Sequence, residues 1–431
     1  MSLLRVGLFG VSFSLALFFS LLWAIFSDHV LGIISVSLLA LSMVVRVGGD
    51  LTHPSTWAPP FIVLYNISIL ILDVSGVRVV YHHNELLLIS WLALSGFFIG
   101  TLPAGSKSLR NALPNTRLSV SLVALLPLVG ILTLCSILVV LAFFMSGANQ
   151  KSEFDGGFTS LFRVLLYCLV VWVLYGFYIR SSATNRILIL YLFLFLFSAL
   201  ALGERDVFFS YALAVIFLLY VSGRGGRLLF YSIGFVLLML IPILGEYKNL
   251  FTKSEFNSID FGNYFMVFLD GEFRSAGFNN EVILNSFQGP FFFGRSLVND
   301  VLRALVPGFI LSFENSVAWY NNTFHPNIRA IGQGYGFSLA AEGYINFSYF
   351  GVLLWFAFYG LIVSFFYRMA FKSVYYLAAY ICSVPVFIYS LRGDFSTLLS
   401  PIIKTIFFTY VVLVFIDLAL RGVKRGRVVR G

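Results

Sequence analysis

Long apolar runs separated by short polar breaks dominate the chain. A membrane-spanning helix needs about 20 mostly apolar residues. Twelve stretches approach that pattern: 6–26, 29–46, 57–74, 85–103, 118–146, 160–179, 186–203, 206–222, 228–245, 347–368, 374–391 and 401–420. Pro59 and Pro60 stand at the start of the third. The first run has no small-x-small cleavage signal before the polar break at Asp28, and the next run follows at once. It therefore reads as a span and not as a cleaved leader. From Glu246 to about Asn346 no strong spanning run occurs. The pattern divides the chain into spans one to nine (1–245), a large loop (246–346), spans ten to twelve (347–420) and a basic tail (421–431).

Such a long loop is usually either functional or disordered. Aromatic residues run through this one, among them Phe265, Phe268, Phe273, Phe291, Phe292, Phe293, Trp319 and Tyr320. Its charges are scattered, and both features oppose disorder. Within it, 295–306 has the spacing of an amphipathic helix. Leu297, Val298, Val301, Leu302, Leu305 and Val306 share a face, Asp300 and Arg303 point the other way, and Pro307-Gly308 supply a stop. Such a helix either lies in the membrane interface with its apolar side in lipid or packs as the core helix of a small outer domain.

Composition sharpens the class. Apolar residues make up 59% and charged residues 11% of the 431, against about 25% charged in an ordinary soluble chain. Mean hydropathy is +0.93. These values exclude a soluble enzyme and a disordered chain. The expected fold is an all-α polytopic membrane protein with about 12 transmembrane helices and one large outer loop. The net charge of +9 reads as topology and not as nucleic-acid binding, because Lys and Arg collect on cytoplasmic loops. With the N-terminus in the cytoplasm, the inner loops hold Arg46; Lys107, Arg110 and Arg117; Arg180 and Arg186; Arg224 and Arg227; Arg368 and Lys372. The tail adds Arg421, Lys424, Arg425, Arg427 and Arg430, so the C-terminus is cytoplasmic too. The short outer loops hold only Arg78, Lys151, Arg205 and Arg392, and the 246–346 segment becomes an outer, periplasmic loop. Cys135, Cys168 and Cys382 lie far apart inside apolar runs, which suits buried thiols and not a disulfide framework.

Familiar chemical motifs are absent: no phosphate-binding GxxxxGK[ST] loop, no HExxH helix and no GxSxG turn. The His82-His83 pair reads as loop polarity and not as a metal site. Charged groups at the outer face carry more information, since ionisable groups near a bilayer are costly. Gly203-Glu204-Arg205-Asp206 forms a very tight outer turn. Its Arg205 either reaches phosphate oxygens with a forked set of donors or pairs with the flanking acids. The stretch HPNIRAIGQGYGFSLAAEGYINFSYFG holds His325, Arg329 and Glu342 among five glycines. Glu342 falls near the outer end of span ten, where a carboxylate suits either proton transfer or the positive end of a helix dipole. Arg274, Arg295 and Arg303 in the loop, with Arg392 and Lys404 further on, make an outer vestibule that attracts an anionic head group.

The outer turn within ALGERDVFFSYALAVIFLLYV, the large outer loop two spans later and GQGYGFSLAAEGYINFSYFGVLLWFAFYGLIV resemble the O-antigen polymerase (Wzy) family. The architectural likeness covers the whole chain. The motif likeness is confined to 201–220 and 325–361. The resemblance implies a C-type glycosyltransferase-like fold in the bacterial inner membrane. It implies polymerisation of undecaprenyl-pyrophosphate-linked oligosaccharide units at the periplasmic face. The growing chain passes from its carrier to the non-reducing end of a new lipid-linked unit. No nucleotide sugar, metal or other cofactor is implied, and a chain-length regulator is a possible partner of the family's members. By resemblance Arg205 serves pyrophosphate binding, with Arg274, Arg329, Arg303 and Arg392 as further substrate-binding candidates. His325 and Glu342 are alternative bases for the acceptor hydroxyl. The paired arginine-glycine pattern of some family members is not distinct here. Two neighbouring functions stay open: a flippase for the lipid-linked unit, against which the long loop and the lack of a repeat count, and an O-antigen ligase, which shares the loop and arginines.

Overall fold

The computed structural model describes residues 3–110, 122–146, 158–178, 183–202, 205–247, 264–306, 310–311, 313–330, 334–416 and 418. Among these residues the chain is built from helices alone. Nine helices there are long and apolar enough to cross a membrane. Their spans are Leu4–Phe26, His29–Arg46, Pro54–Val74, His83–Ala104, Leu125–Met145, Ser160–Phe177, Ala183–Leu200, Leu339–Met369 and Phe395–Ile416. Three shorter apolar helices, Asp206–Val221, Arg227–Leu240 and Val374–Ser390, coincide with three more of the expected runs. The chain is a polytopic membrane protein.

Two compact units divide the chain. The first holds Met1–Leu109, Asp260–Arg368 and Val386–Ser400. It contains α1 (Leu3–Phe26), α2 (His29–Arg46), α3 (Pro54–Val74) and α4 (His83–Thr101). The second holds Arg110–Ile259, Met369–Pro385 and Pro401–Gly431, with α5 (Leu122–Met145), α6 (Phe158–Tyr178), α7 (Ala183–Leu202), α8 (Arg205–Val221) and α9 (Arg227–Tyr247). In the second unit α5 packs on α6, and α8 packs on α6, α7 and α9.

Local chemistry sets the helix starts in the first unit. Asp28 caps α2 by accepting from the Val30 N–H at 2.8 Å. His53 caps α3 by accepting from the Ser55 N–H at 3.1 Å. Its Nε2 then donates to the Gly105 carbonyl at 3.0 Å, and burial lowers its pKa to about 4, so the ring is neutral. The cap starts α3 at Pro54, earlier than the apolar pattern suggested, and Pro59 and Pro60 fall inside the helix.

The described part of the 246–346 segment folds onto these spans. It contains α10 (Tyr264–Phe268), a π-helical turn at Leu269–Phe273, α11 (Arg274–Ser286), α12 (Arg295–Leu305), α13 (Ser316–Phe324) and α14 (Pro326–Ala330). α11 lies against α3. Buried Asn280 Nδ2 donates to Asn66 Oδ1 at 2.9 Å, and Gly277 sits so close that a Cβ there would meet Ile69 Cγ2 at 2.8 Å. The α3–α4 connection closes over α11: the Tyr81 N–H donates to Glu281 Oε1 at 2.7 Å, and Arg78 forks onto Asp270 at 3.1 and 3.2 Å.

α15 (Leu339–Met369) is longer than the expected tenth span because it runs through a kink at Phe347 and Ser348, where Ser348 takes φ +53°. The expected span is the part after the kink. The part before it carries Glu342. The kink frees the Ile345 and Asn346 carbonyls, which accept from the Phe292 and Phe293 N–H groups at 3.0 and 3.3 Å. That seats the start of α12 on the bend. The chain leaves the first unit at Met369, the last residue of α15, returns at Val386 within α16 (Val374–Ser390), and leaves again at Pro401, the last residue of α17 (Phe395–Pro401).

Candidate functional site

α12 is amphipathic in the opposite sense to a core helix. Its buried stripe is Ser296, Asp300 and Ala304, while Val298, Val301, Leu302 and Leu305 are exposed. The core-helix reading of 295–306 therefore fails, and the paired placement of Asp300 and Arg303 fails with it: Asp300 is buried and Arg303 exposed. The polar stripe faces α15 and the start of α17, where three carboxyl groups gather with no side-chain exposure to speak of: Asp300, Glu342 and Asp394.

Burying three acids together is costly unless each is hydrogen-bonded. Glu342 Oε1 accepts from Ser296 Oγ at 2.9 Å and Ser316 Oγ at 3.2 Å. Its Oε2 accepts from the Phe395 N–H at 2.9 Å. Asp394 Oδ1 caps α17 through the Thr397 N–H and hydroxyl at 2.8 and 2.7 Å, and its Oδ2 accepts from Asn315 Nδ2 at 2.7 Å and the Val317 N–H at 3.0 Å. Asp300 Oδ2 accepts from the Ser396 N–H at 2.9 Å. The N-terminal N–H groups of α17 thus point at all three acids, and the positive end of the helix offsets their charge.

Asp300 Oδ1 has no hydrogen-bond partner. Burial, with the facing Glu342 and then Asp394, raises the Asp300 pKa far above the usual carboxylate range. A proton on Asp300 turns the contact between two carboxyl groups into a hydrogen bond toward Glu342. Asn346 extends the network: its Nδ2 donates to Ser296 Oγ at 2.7 Å, and its Oδ1 accepts from the Gly294 N–H at 2.8 Å.

A cavity of about 250 Å³ lies over this network, lined among others by Arg295, Ser296, Asn299, Glu314, Ser316 and Trp319. The two serines are shared: they line the cavity and donate to Glu342 behind it. A hydroxyl in that position can pass its own proton to the carboxylate while accepting one from a bound group. The fully buried acid is thereby connected to the cavity.

The two expected bases are not brought together. Glu342 touches Ser316 at the start of α13, and His325 follows the end of that helix. Nine residues of helix separate these positions by about 13 Å along the axis. His325 Nε2 lies 3.0 Å from the Tyr320 hydroxyl, and that hydroxyl donates to Asn279 Oδ1 at 2.8 Å. The imidazole must therefore be the Nε2–H donor, with Nδ1 left as acceptor. Partial burial lowers its pKa, which keeps it neutral at pH 7.

The arginines are dispersed. Arg303 Nη1 donates to Asn315 Oδ1 at 3.0 Å and the Phe313 carbonyl at 3.3 Å, so it steadies an Asp394 partner. Arg274 pairs with Asp270 at 3.3 Å. Arg329 is exposed on α14. Arg392 lies over the Tyr389 ring at 4.6 Å. Arg205 begins α8 in the second unit, and its side chain and the preceding Gly203-Glu204 turn lie outside the described residues.

Sequence reasoning missed Asp300, Asp394, Ser296 and Ser316 as site residues. Two signals for them existed. Ser296, Asp300 and Ala304 recur every four residues, marking a narrow small-and-polar face on an otherwise apolar helix. Asp394-x-x-Thr397 before an apolar run has the spacing of a capped helix start.

The family model described as O-antigen polysaccharide polymerase Wzy matches residues 61–421 of the chain. No curated protein and no solved structure matches it.

Proposed function

The chain belongs to the O-antigen polysaccharide polymerase Wzy family, and from that premise we propose that it polymerises undecaprenyl-pyrophosphate-linked oligosaccharide repeat units at the periplasmic face of the bacterial inner membrane. This reading takes twelve spans with both termini in the cytoplasm, which would put the α10–α14 segment on that face. The growing chain moves onto the non-reducing end of a new lipid-linked unit. The acceptor hydroxyl loses a proton, its oxygen bonds to the anomeric carbon of the growing chain, and the bond from that carbon to the phosphate oxygen breaks. Lipid pyrophosphate leaves with the bonding electron pair.

The observation that carries the reading is the hydroxyl floor of the cavity. Ser296 and Ser316 stand between the cavity and Glu342, so the acceptor proton has a path to a buried carboxylate through one serine. Glu342 is the proposed proton acceptor, and His325 the second candidate. The departing pyrophosphate needs cations, since fixed charge at a leaving group is a large catalytic term. Arg295 lines the cavity at the start of α12, and Arg303, two turns further along the helix, holds Asn315 of the cavity wall. Arg205, Arg274, Arg329 and Arg392 complete the proposed set of substrate-binding arginines.

The test is a gel of surface glycolipid from cells lacking the gene and complemented with wild type or Glu342→Gln. Loss of the protein should collapse the ladder to core carrying one repeat unit. A collapse to bare core assigns the lost step to flipping or ligation instead, and an unchanged ladder removes the chain from this polymer altogether.

A further inference from the structure

Resting on the polymerase reading, we infer that the cavity beside α12 is a subsite for a single uncharged sugar ring, the terminal ring of the acceptor, with Trp319 as its stacking wall. A pyranose presents one apolar C–H face and a rim of hydroxyl groups. The cavity offers the complement. Trp319 borders it and is held edge-on by Phe292, Phe324 and Phe287, with centroids at 4.9, 5.7 and 6.1 Å and interplanar angles of 75°, 88° and 82°. No ring stacks parallel on the indole among the described residues, and three edge contacts fix its rotamer before a ligand arrives.

The polar groups of the cavity suit hydroxyls. Glu314 Oε1 accepts from Asn322 Nδ2 at 2.8 Å, which orients the carboxylate on the cavity wall and leaves Oε2 to accept from a ligand. Arg295 makes no side-chain hydrogen bond or ion pair among the described residues and lines the same cavity. Asn299 stands one turn further along α12. The volume of about 250 Å³ is at the small end for ligand sites and suits one ring, not an oligosaccharide.

Charge separates the sugar from the other part of a lipid-linked substrate. A phosphate in the cavity would face Glu314 on its wall and Glu342 behind its serine floor. Two carboxylates at that range outweigh the single guanidinium of Arg295 on the same wall, oppose an anion and favour a neutral polyol. A ring stacked on Trp319 brings a hydroxyl toward Ser296 and Ser316, the two groups hydrogen-bonded to Glu342. The subsite therefore selects the acceptor sugar and aims its reacting hydroxyl at the proton path.

The experiment uses the full chain in lipid nanodiscs and equilibrium dialysis with the lipid-free repeat-unit oligosaccharide released from the producing cell's own glycan. Inorganic pyrophosphate is the competing probe. Wild type should bind the oligosaccharide. Trp319→Ala should weaken binding by about tenfold or more, the worth of one well-packed aromatic contact. Glu314→Gln, at an exposed rim position, should weaken it as well and carries the test if Trp319→Ala fails to accumulate. Glu342→Gln should bind like wild type while losing turnover. Absence of binding to wild type, unchanged binding in both rim variants, or displacement of the sugar by pyrophosphate overturns the subsite. Trp319-dependent sugar binding in a protein whose loss leaves the glycan ladder intact would sink the polymerase reading and keep the sugar site.

Discussion

Replacing Glu342 by Gln separates a chemical role from a structural one. The glutamate is fully buried and accepts on both oxygens: two serine hydroxyls on Oε1 and the Phe395 N–H on Oε2. An amide keeps only one side of that arrangement. With its carbonyl toward the serines, its NH₂ meets the Phe395 N–H donor to donor. Turned round, it accepts from Phe395 but forces the serine hydroxyls to reverse, and Ser296 then loses an acceptor for its proton. Either way one buried polar group goes unsatisfied, at about 1–3 kcal/mol. Removing a negative charge from beside Asp300 and Asp394 offsets part of that cost. The net penalty is about 1–2 kcal/mol, small beside a typical stability of about 5–15 kcal/mol, so the variant should accumulate in the membrane.

The effect on turnover is much larger if Glu342 takes the acceptor proton. Loss of a positioned general base costs about 10²- to 10⁴-fold, equivalent to about 3–5 kcal/mol on the barrier. The assay is single-turnover extension of a lipid-linked unit by the nanodisc protein, read by gel, with thermal unfolding of the same sample as the stability control. A variant as abundant as wild type that extends chains within about threefold of the wild-type rate refutes the proton path and leaves Glu342 as a buried anchor.

Three further outcomes follow from the same geometry. Asp300→Asn keeps an acceptor for the Ser396 N–H and can donate to Glu342. In wild type the raised Asp300 pKa means its stabilising effect is complete below the unfolded value of about 4 and is lost as pH rises toward the folded value. The Asn variant should flatten that decline in thermal midpoint between about pH 4 and neutrality, and an identical slope in both proteins would show Asp300 to be ionised when folded. At the α15 kink a Cβ on Gly351 would stand within contact-breaking reach of the Gly343 carbonyl, so Gly351→Ala should cost about 1–3 kcal/mol and cut extension with it; a variant with wild-type melting contradicts the close approach. Arg205→Ala should shorten the glycan ladder at undiminished protein level, and normal chain length would remove Arg205 from substrate binding.

The spans were legible because periodicity is hardly needed to detect them: in lipid every backbone group must be bonded within its own helix, so length and apolarity suffice. α1, α2, α4, α6 and α7 accordingly fall close to their apolar runs. Where a cap acts, the pattern misleads, as at His53, which starts α3 three residues before the apolar run that begins at Trp57. Glu342 stood out because an acid beside a span is rare. Its partners did not, because Ser296, Ser316 and Asp394 come from three segments spaced through nearly a hundred residues and meet only when α12 seats on the α15 kink. The glycines of 334–351 were visible in sequence, but which of them allows a close approach depends on that bend.

The inverted polarity of α12 links the membrane to the chemistry. Val298 and Leu305 are 58% and 61% exposed, and Val301 and Leu302 lie on the same side. In water, leaving Val298 and Leu305 more than half uncovered forfeits much of the about 1.5–3 kcal/mol that full burial of each contributes, which a stable helix would recover by turning inward. Turning would expose Asp300 and break the contacts of Ser296 with Glu342 and Asn346. A lipid interface at its outer face would remove that choice: apolar side chains would meet acyl chains while the polar stripe meets the buried acids. Arg295 and Arg303 sit on the same helix, at its cavity-lining start and in its last turn. An amphiphile whose sugar and phosphate are joined to a lipid tail has the same division of surfaces. Under the proposed function, α12 in that position would meet such a substrate laterally, without the carrier leaving the bilayer.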